Sequence, residues 1–180
     1  MNTPNKLTVF RIVLVPVFMV FALLPAGRWR FLAALAVFIV ASVTDLIDGR
    51  LARKYNQVTT FGKFMDPLAD KLLVCAALVV FVQVGLASTW AVVLIIAREF
   101  LVTSLRLLAL DGSGEVIAAN IWGKIKTNSQ MYAIILALLA AGLGGPLWIG
   151  YLLVWVAAVF TAVSGLQYLW AYRRYINTTK

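Results

Sequence analysis

Histidine is absent from the 180 residues, and there is a single cysteine. Without imidazole the chain has no histidine general base and no histidine metal ligand. With Cys75 alone, lying in an apolar run, it has no intramolecular disulfide and no thiolate metal site. Any metal chemistry must therefore use oxygen ligands. Charge is scarce as well: 13% of residues are Asp, Glu, Lys or Arg, and only 7 are acidic. Soluble domains carry roughly twice that charged share, and a chain of this length has too little polar surface here to clothe a water-facing exterior. Internal repeats and low-complexity linkers are also missing, which leaves one membrane domain, residues 1–180, and no second.

What is present in excess is hydrocarbon, at 63% hydrophobic residues. Apolar segments run over Leu7–Leu24, Phe31–Ala52, Asp66–Gly85, Trp90–Leu110, Ile121–Leu143 and Leu147–Trp170. Each approaches the roughly 20 residues an α-helix needs to cross a bilayer. The fold expected is all-α: a polytopic membrane protein of six transmembrane helices with both termini cytoplasmic. A signal peptide over the first segment fits less well, because the run is long, lacks a small-x-small cleavage site and precedes five more helices.

The net charge of +9 would suggest nucleic acid in a soluble protein. Here it sets topology, and no nucleic-acid partner is expected. An even helix count places Lys6, Arg11, Arg50, Arg53, Lys54, Lys63, Lys71, Arg106, Lys124, Lys126, Arg173, Arg174 and Lys180 toward one side. Arg28 and Arg30 stand alone on the other, beside Trp29. The positive-inside rule makes the first side cytoplasmic.

The acids are not scattered. Asp45 and Asp48 are three apart at the polar end of one apolar segment, and Asp66 and Asp70 are four apart at the start of the next. Both spacings put two carboxylates on one helical face. The intervening "KYNQVTTFG" folds the pairs back toward each other. Four convergent carboxylates in so dry a setting are costly unless a cation joins them. Oxygen ligands suit Mg²⁺ or Mn²⁺, and four carboxylates could hold two such ions about 3.5–4 Å apart, an arrangement that clamps a phosphoryl group. The bland alternative is surface pairing with Arg50, Arg53, Lys63 and Lys71. It leaves Gly49, Gly62 and Ala52 unexplained, whereas small residues beside the carboxylates let a bulky substrate approach the backbone. Pro67 belongs in a first turn or at a kink, so the helix is expected to begin near Asp66 with its N-terminal dipole on the site.

"DLIDGRLAR", eight residues, then "GKFMDPLAD" matches D-x-x-D-G-x-x-A-R…G-x-x-x-D-x-x-x-D at every fixed position. This resembles the signature of the CDP-alcohol phosphatidyltransferase family, membrane enzymes of six helices. "NKLTVFRI", "AREFLVTSLRLLA" and "WGKIKTNSQM" look like the branch that makes phosphatidylglycerophosphate. The resemblance implies transfer of a phosphatidyl group from CDP-diacylglycerol to sn-glycerol 3-phosphate at a bacterial plasma membrane, with the active site facing the cytoplasm. It implies Asp45, Asp48, Asp66 and Asp70 as ligands of two divalent cations, with Asp70 also the base. It further implies Gly49, Arg53, Gly62, Thr59, Asn5 and Thr8 around the CDP-lipid, and a homodimer.

For the acceptor, the cations outside that signature are Arg98, Arg106, Lys124 and Lys126. A phosphate-bearing acceptor gives all four a purpose that a neutral one such as inositol does not. Arg98 alternatively pairs with Glu99 or a backbone carbonyl. Thr127 and Gln130 either bond the glycerol hydroxyls or serve helix packing. Cardiolipin, phosphatidylserine and phosphatidylinositol-phosphate synthases share the aspartate signature and stand as alternatives within the family. From other classes, a cation transporter would spread its charges along a route across the membrane, and a non-catalytic assembly subunit would not need the unbroken motif.

Overall fold

A computed structural model of the protein describes the backbone of residues 3–54, 60–113 and 121–171, and the side-chain surroundings of residues 9–44, 68–69, 71–104, 123 and 125–170. Six helices make up the described residues, with no strand among them: α1 (Thr3–Leu23), α2 (Trp29–Lys54), α3 (Thr60–Gln83), α4 (Thr89–Ser113), α5 (Ile121–Gly142) and α6 (Trp148–Ala171). At 21 to 26 residues each, they are about 30–40 Å long at 1.5 Å per residue. Among the described residues one stretch, Trp148–Trp170, is long and apolar enough to cross a membrane. Val9–Leu23, Trp29–Thr44 and Lys71–Gln83 are shorter apolar stretches.

Five of the six helices begin within about two to four residues of their expected starts. The exception is α3. It begins at Thr60, not near Asp66, so Pro67 falls two turns inside it and the helix N-terminus does not stand at Asp66. A proline there withholds one backbone hydrogen bond from the carbonyl four residues back. The helix absorbs that loss, as α1 does at Pro16.

The α3–α4 and α5–α6 connections end their helices identically. Gly85 and Gly144 adopt φ of 77° and 90°. Leu86 N–H donates to the Phe81 carbonyl at 2.8 Å and Gly145 N–H to Ala140 at 2.7 Å. Gly85 and Gly144 donate three residues back at 3.3 Å. Both are Schellman caps, which need a left-handed residue that glycine adopts without a Cβ penalty.

Helix packing closes a ring in the order α1, α2, α5, α6, α4, α3, and α3 also reaches α2 and α5 across the middle. The three short connections meet at one end of the bundle, called the loop end here. Gly144 lies against Arg28, Gly85 approaches Leu147, and Gly150 sits against Leu86. Toward that end the interior is hydrocarbon: Phe18, Phe38, Leu78, Phe81, Leu138 and Val154 are all but inaccessible. Phe18 and Phe38 tilt against each other with ring centroids 6.0 Å apart.

The outer face is apolar as well. Val13, Val20, Val40, Val79, Val93, Phe100, Leu101, Leu136, Leu152, Val159 and Leu166 are exposed on helix surfaces. An apolar girdle of that extent is unsuited to water and marks an interaction surface.

Candidate active site

The helices keep buried stripes, and those of α1, α4, α5 and α6 turn polar toward the end opposite the loops. On α1, Ala22, Phe18 and Val15 lead to Arg11, which is 1% exposed. On α4, Val92 and Ile95 lead to Glu99. On α5, Leu138 and Ile134 lead to Gln130 and Lys126, and on α6, Val154 and Ala157 lead to Thr161 and Ser164. The i, i+3, i+4, i+7 register of a helix carries the same stripes onward. On α2, Ala34, Phe38 and Ala41 are followed on that register by positions 45 and 48. On α3, Ala77, Leu73 and Ala69 are followed by positions 70 and 66. Counting seven residues from Phe18 and from Phe38 brings Arg11 level with position 45. The core is thus hydrocarbon for about half its depth and polar beyond.

Where side chains are described, the polar half is tightly connected. Lys126 Nζ donates to Glu99 Oε1, joining α5 to α4. Arg98 NH1 stands 3.5 Å from the same Oε1, and Arg98 NH2 donates to Ser164 Oγ on α6 at 2.7 Å. Gly165 makes room for that arginine, since a Cβ there would stand 2.8 Å from Arg98 Cγ. From α3, Lys71 is near enough to Lys126 to repel it. One turn deeper, Gln130 Nε2 donates to Thr161 Oγ1 at 3.0 Å, and Thr161 in turn donates to the Ala157 carbonyl at 2.7 Å.

These contacts sort the sequence expectations. Arg98 lies beside Glu99, one of the partners anticipated for it, and its guanidinium also reaches Ser164 on α6, which was not anticipated. Gln130 serves packing between α5 and α6, and Thr127 is exposed and donates to the Gly123 carbonyl at 3.1 Å. Lys126 is buried, as a functional cation can be only when paired. The side chains of Asn5, Thr8, Asp45, Asp48, Gly49, Arg53, Gly62, Asp66, Asp70, Arg106 and Lys124, and all of Thr59, lie outside the described residues. Among the described residues no three His, Cys, Asp or Glu side chains cluster.

Sequence reading treated Glu99 only as a neighbour of Arg98. Its partner Lys126 is 27 residues away, a distance no local pattern reaches. One signal did exist: Glu99 is one of only two glutamates in the chain, and it sits inside an apolar segment. Ser164 carried no comparable signal.

A transport route would need polar groups through the full depth of the bundle. Among the described residues the loop-end half is closed by Phe18, Phe38, Phe81 and Leu138. The described core instead has one polar end, where Glu99 stands between Lys126 and Arg98.

The family model for CDP-alcohol phosphatidyltransferases matches residues 1–163. The chain is 51% identical over 181 residues to the CDP-diacylglycerol–glycerol-3-phosphate 3-phosphatidyltransferase of Bacillus subtilis (strain 168), covering 93% of each chain. It is 40% identical over 179 residues to the protein of the same name from Haemophilus influenzae, covering 93% of this chain and 91% of that one. It is 42% identical over 177 residues to that of Shigella flexneri serotype 5b, covering 96% and 95%.

Proposed function

The chain belongs to the CDP-alcohol phosphatidyltransferase family, and on that premise we propose the following reaction and the residues that perform it. The protein transfers a phosphatidyl group from CDP-diacylglycerol to sn-glycerol 3-phosphate, releasing CMP and forming phosphatidylglycerophosphate. The observation that carries the reading is the one-ended polar core, in which Arg98 of α4 and Lys126 of α5 meet Lys71 of α3, the helix that also bears Asp66 and Asp70. Direct support for the acceptor comes from the relatives' shared name.

In the reaction a hydroxyl oxygen of glycerol 3-phosphate attacks the lipid-side phosphorus of the donor. The bond from that phosphorus to the CMP oxygen breaks, and the hydroxyl proton passes to Asp70. The donor set fits hard divalent cations: all four are oxygen donors, carried in pairs by α2 and α3, two helices that pack together, and the chain has no histidine. Asp45, Asp48, Asp66 and Asp70 would hold two Mg²⁺ or Mn²⁺ ions, which when bound supply positive charge against the diphosphate and acidify the attacking hydroxyl. Gly49 and Gly62 leave the backbone open to the nucleotide diphosphate, Arg53 pairs with it, and Asn5, Thr8 and Thr59 border the CDP-lipid. Arg98, Arg106, Lys124 and Lys126 grip the acceptor phosphate.

The apolar outer girdle supports a bilayer setting, with six spans and both termini cytoplasmic, in a bacterial plasma membrane. Trp29, Trp90 and Trp148 are all exposed at the loop-end starts of α2, α4 and α6, where amphipathic rings favour the headgroup level. The working form is a homodimer.

Purified protein given CDP-diacylglycerol and Mg²⁺ should release CMP with glycerol 3-phosphate. It should release little with glycerol, serine, phosphatidylglycerol or inositol phosphate. A preference for another alcohol would move the protein to another branch of the family.

Orientation has its own test. In a Cys75→Ser background, Leu143→Cys at the exposed loop end should react with a membrane-impermeant maleimide in right-side-out vesicles. Thr179→Cys should react only after the vesicles are opened. The reverse pattern overturns the orientation.

The nucleotide site has another. Overpacking costs about 1–3 kcal/mol, so Gly49→Leu should raise KM for CDP-diacylglycerol by roughly five- to over a hundredfold. KM for glycerol 3-phosphate should move far less. Unchanged donor kinetics would show that Gly49 serves helix packing.

A further inference from the structure

We propose that Glu99 is a positioning residue for the acceptor: its carboxylate holds Arg98 and Lys126 as a fixed pair of phosphate donors and sets the charge of the acceptor site. The inference rests on the acceptor reading above and adds to it a residue of opposite sign.

Three cations converge on this part of the bundle from three helices: Lys71 from α3, Arg98 from α4 and Lys126 from α5. Glu99 is the one anion among the described side chains that touch them. It is 9% exposed and Lys126 5%, so neither can turn to bulk water. Lys126 donates to Oε1, and Arg98 NH1 lies 3.5 Å from that same oxygen. The two cations are therefore fixed about one atom rather than repelled apart. Ser164 and Gly165 fix the guanidinium from the other side.

An ammonium has three N–H groups, and Lys126 gives one to Glu99, so it can still donate to a ligand oxygen beside the Arg98 guanidinium. Among the described side chains that meet here, three cations outnumber the one carboxylate, which favours an anionic ligand.

Two effects oppose each other when the carboxylate is neutralised. Electrostatic attraction for phosphate rises, because one negative charge is removed. Position is lost, because like charges now meet in a poorly solvated site and a lysine stem is long enough to carry its ammonium away toward the interface. Position wins, since a donor that has left the site contributes nothing to binding.

The test is a double-mutant cycle on steady-state kinetics in detergent or vesicles. Glu99→Gln keeps the shape and removes the charge. It should raise KM for glycerol 3-phosphate by roughly tenfold, the scale of one lost charge-assisted hydrogen bond, while KM for CDP-diacylglycerol changes little. Glu99→Asp keeps the charge and should restore part of the loss. Because Glu99 acts through Lys126 and Arg98, the Glu99→Gln/Lys126→Gln protein should lose less on the acceptor than the two single penalties combined.

Additive penalties, an equal effect on both substrates, or an unchanged or lower acceptor KM in Glu99→Gln would each overturn the inference. If Lys126→Gln alone leaves the acceptor KM unchanged, the acceptor site itself is misplaced and the inference falls with it. Should Glu99→Gln not accumulate in the membrane, Glu99→Asp carries the test alone. Its acceptor KM should rise severalfold, and wild-type kinetics in that protein would overturn the proposal.

Discussion

Asp45→Asn should leave the protein folded in the membrane and reduce turnover by roughly a hundred- to a thousandfold, the scale on which one transition-state charge stabiliser acts. The substitution conserves volume, so packing along the α2 stripe below Ala41 is not the issue. Stability gives the sharper readout. If the four carboxylates share the proposed metal site, they repel one another without divalent cations, and removing one relieves part of that repulsion. The metal-free variant should therefore melt no lower than the metal-free wild type. Added Mg²⁺ or Mn²⁺ should raise the wild-type melting temperature, because a ligand that binds only the folded state stabilises it by mass action. The variant should show little of that shift, and Asp66→Asn should behave in the same way. A variant that keeps both its turnover and its metal-induced shift would remove the carboxylates from the metal site.

The fold was legible where composition alone decides it. Long apolar runs bounded by glycine, proline or charge can only be helices, and their bounds came within a few residues except at the start of α3. That error has a clear cause. Pro67 was read as a helix-starting residue, but the turns before it, from Thr60, gain enough from the rest of α3 to form without one hydrogen bond. The ring order of the helices was not legible. Segments apolar nearly all round carry no period to mark an inward face, so nothing in the sequence sets α5 between α2 and α6. The site divides similarly. The four aspartates announce themselves by spacing within two short segments. The link of Lys126 to Glu99, and of Arg98 to Ser164 across 66 residues, exists only once α4, α5 and α6 pack.

Lys126→Gln should lower kcat/KM for glycerol 3-phosphate by roughly tenfold to over a hundredfold, since a charge-assisted hydrogen bond contributes about 1.5–3 kcal/mol. Lys126 is buried, joined to Glu99 and faced by Arg98 and Lys71, so no surface-screened charge is involved. The donor should be affected far less. Glycerol, which lacks the phosphate, should be a poor substrate for the wild type and should lose little further in the variant. The comparison is therefore two acceptors against two proteins. An equal penalty for glycerol and glycerol 3-phosphate would make Lys126 a packing residue of α5.

The central claim is that a phosphatidyl group moves from the nucleotide to glycerol 3-phosphate. Its most direct measurement follows label from both substrates in one reaction. Purified protein in lipid vesicles receives CDP-diacylglycerol labelled in the cytidine, glycerol 3-phosphate labelled in carbon, and Mg²⁺. The account predicts one labelled CMP in the aqueous phase for each glycerol label that enters the lipid phase, with neither product formed when either substrate or the metal is withheld. CMP released without transfer of the glycerol label to lipid would contradict it.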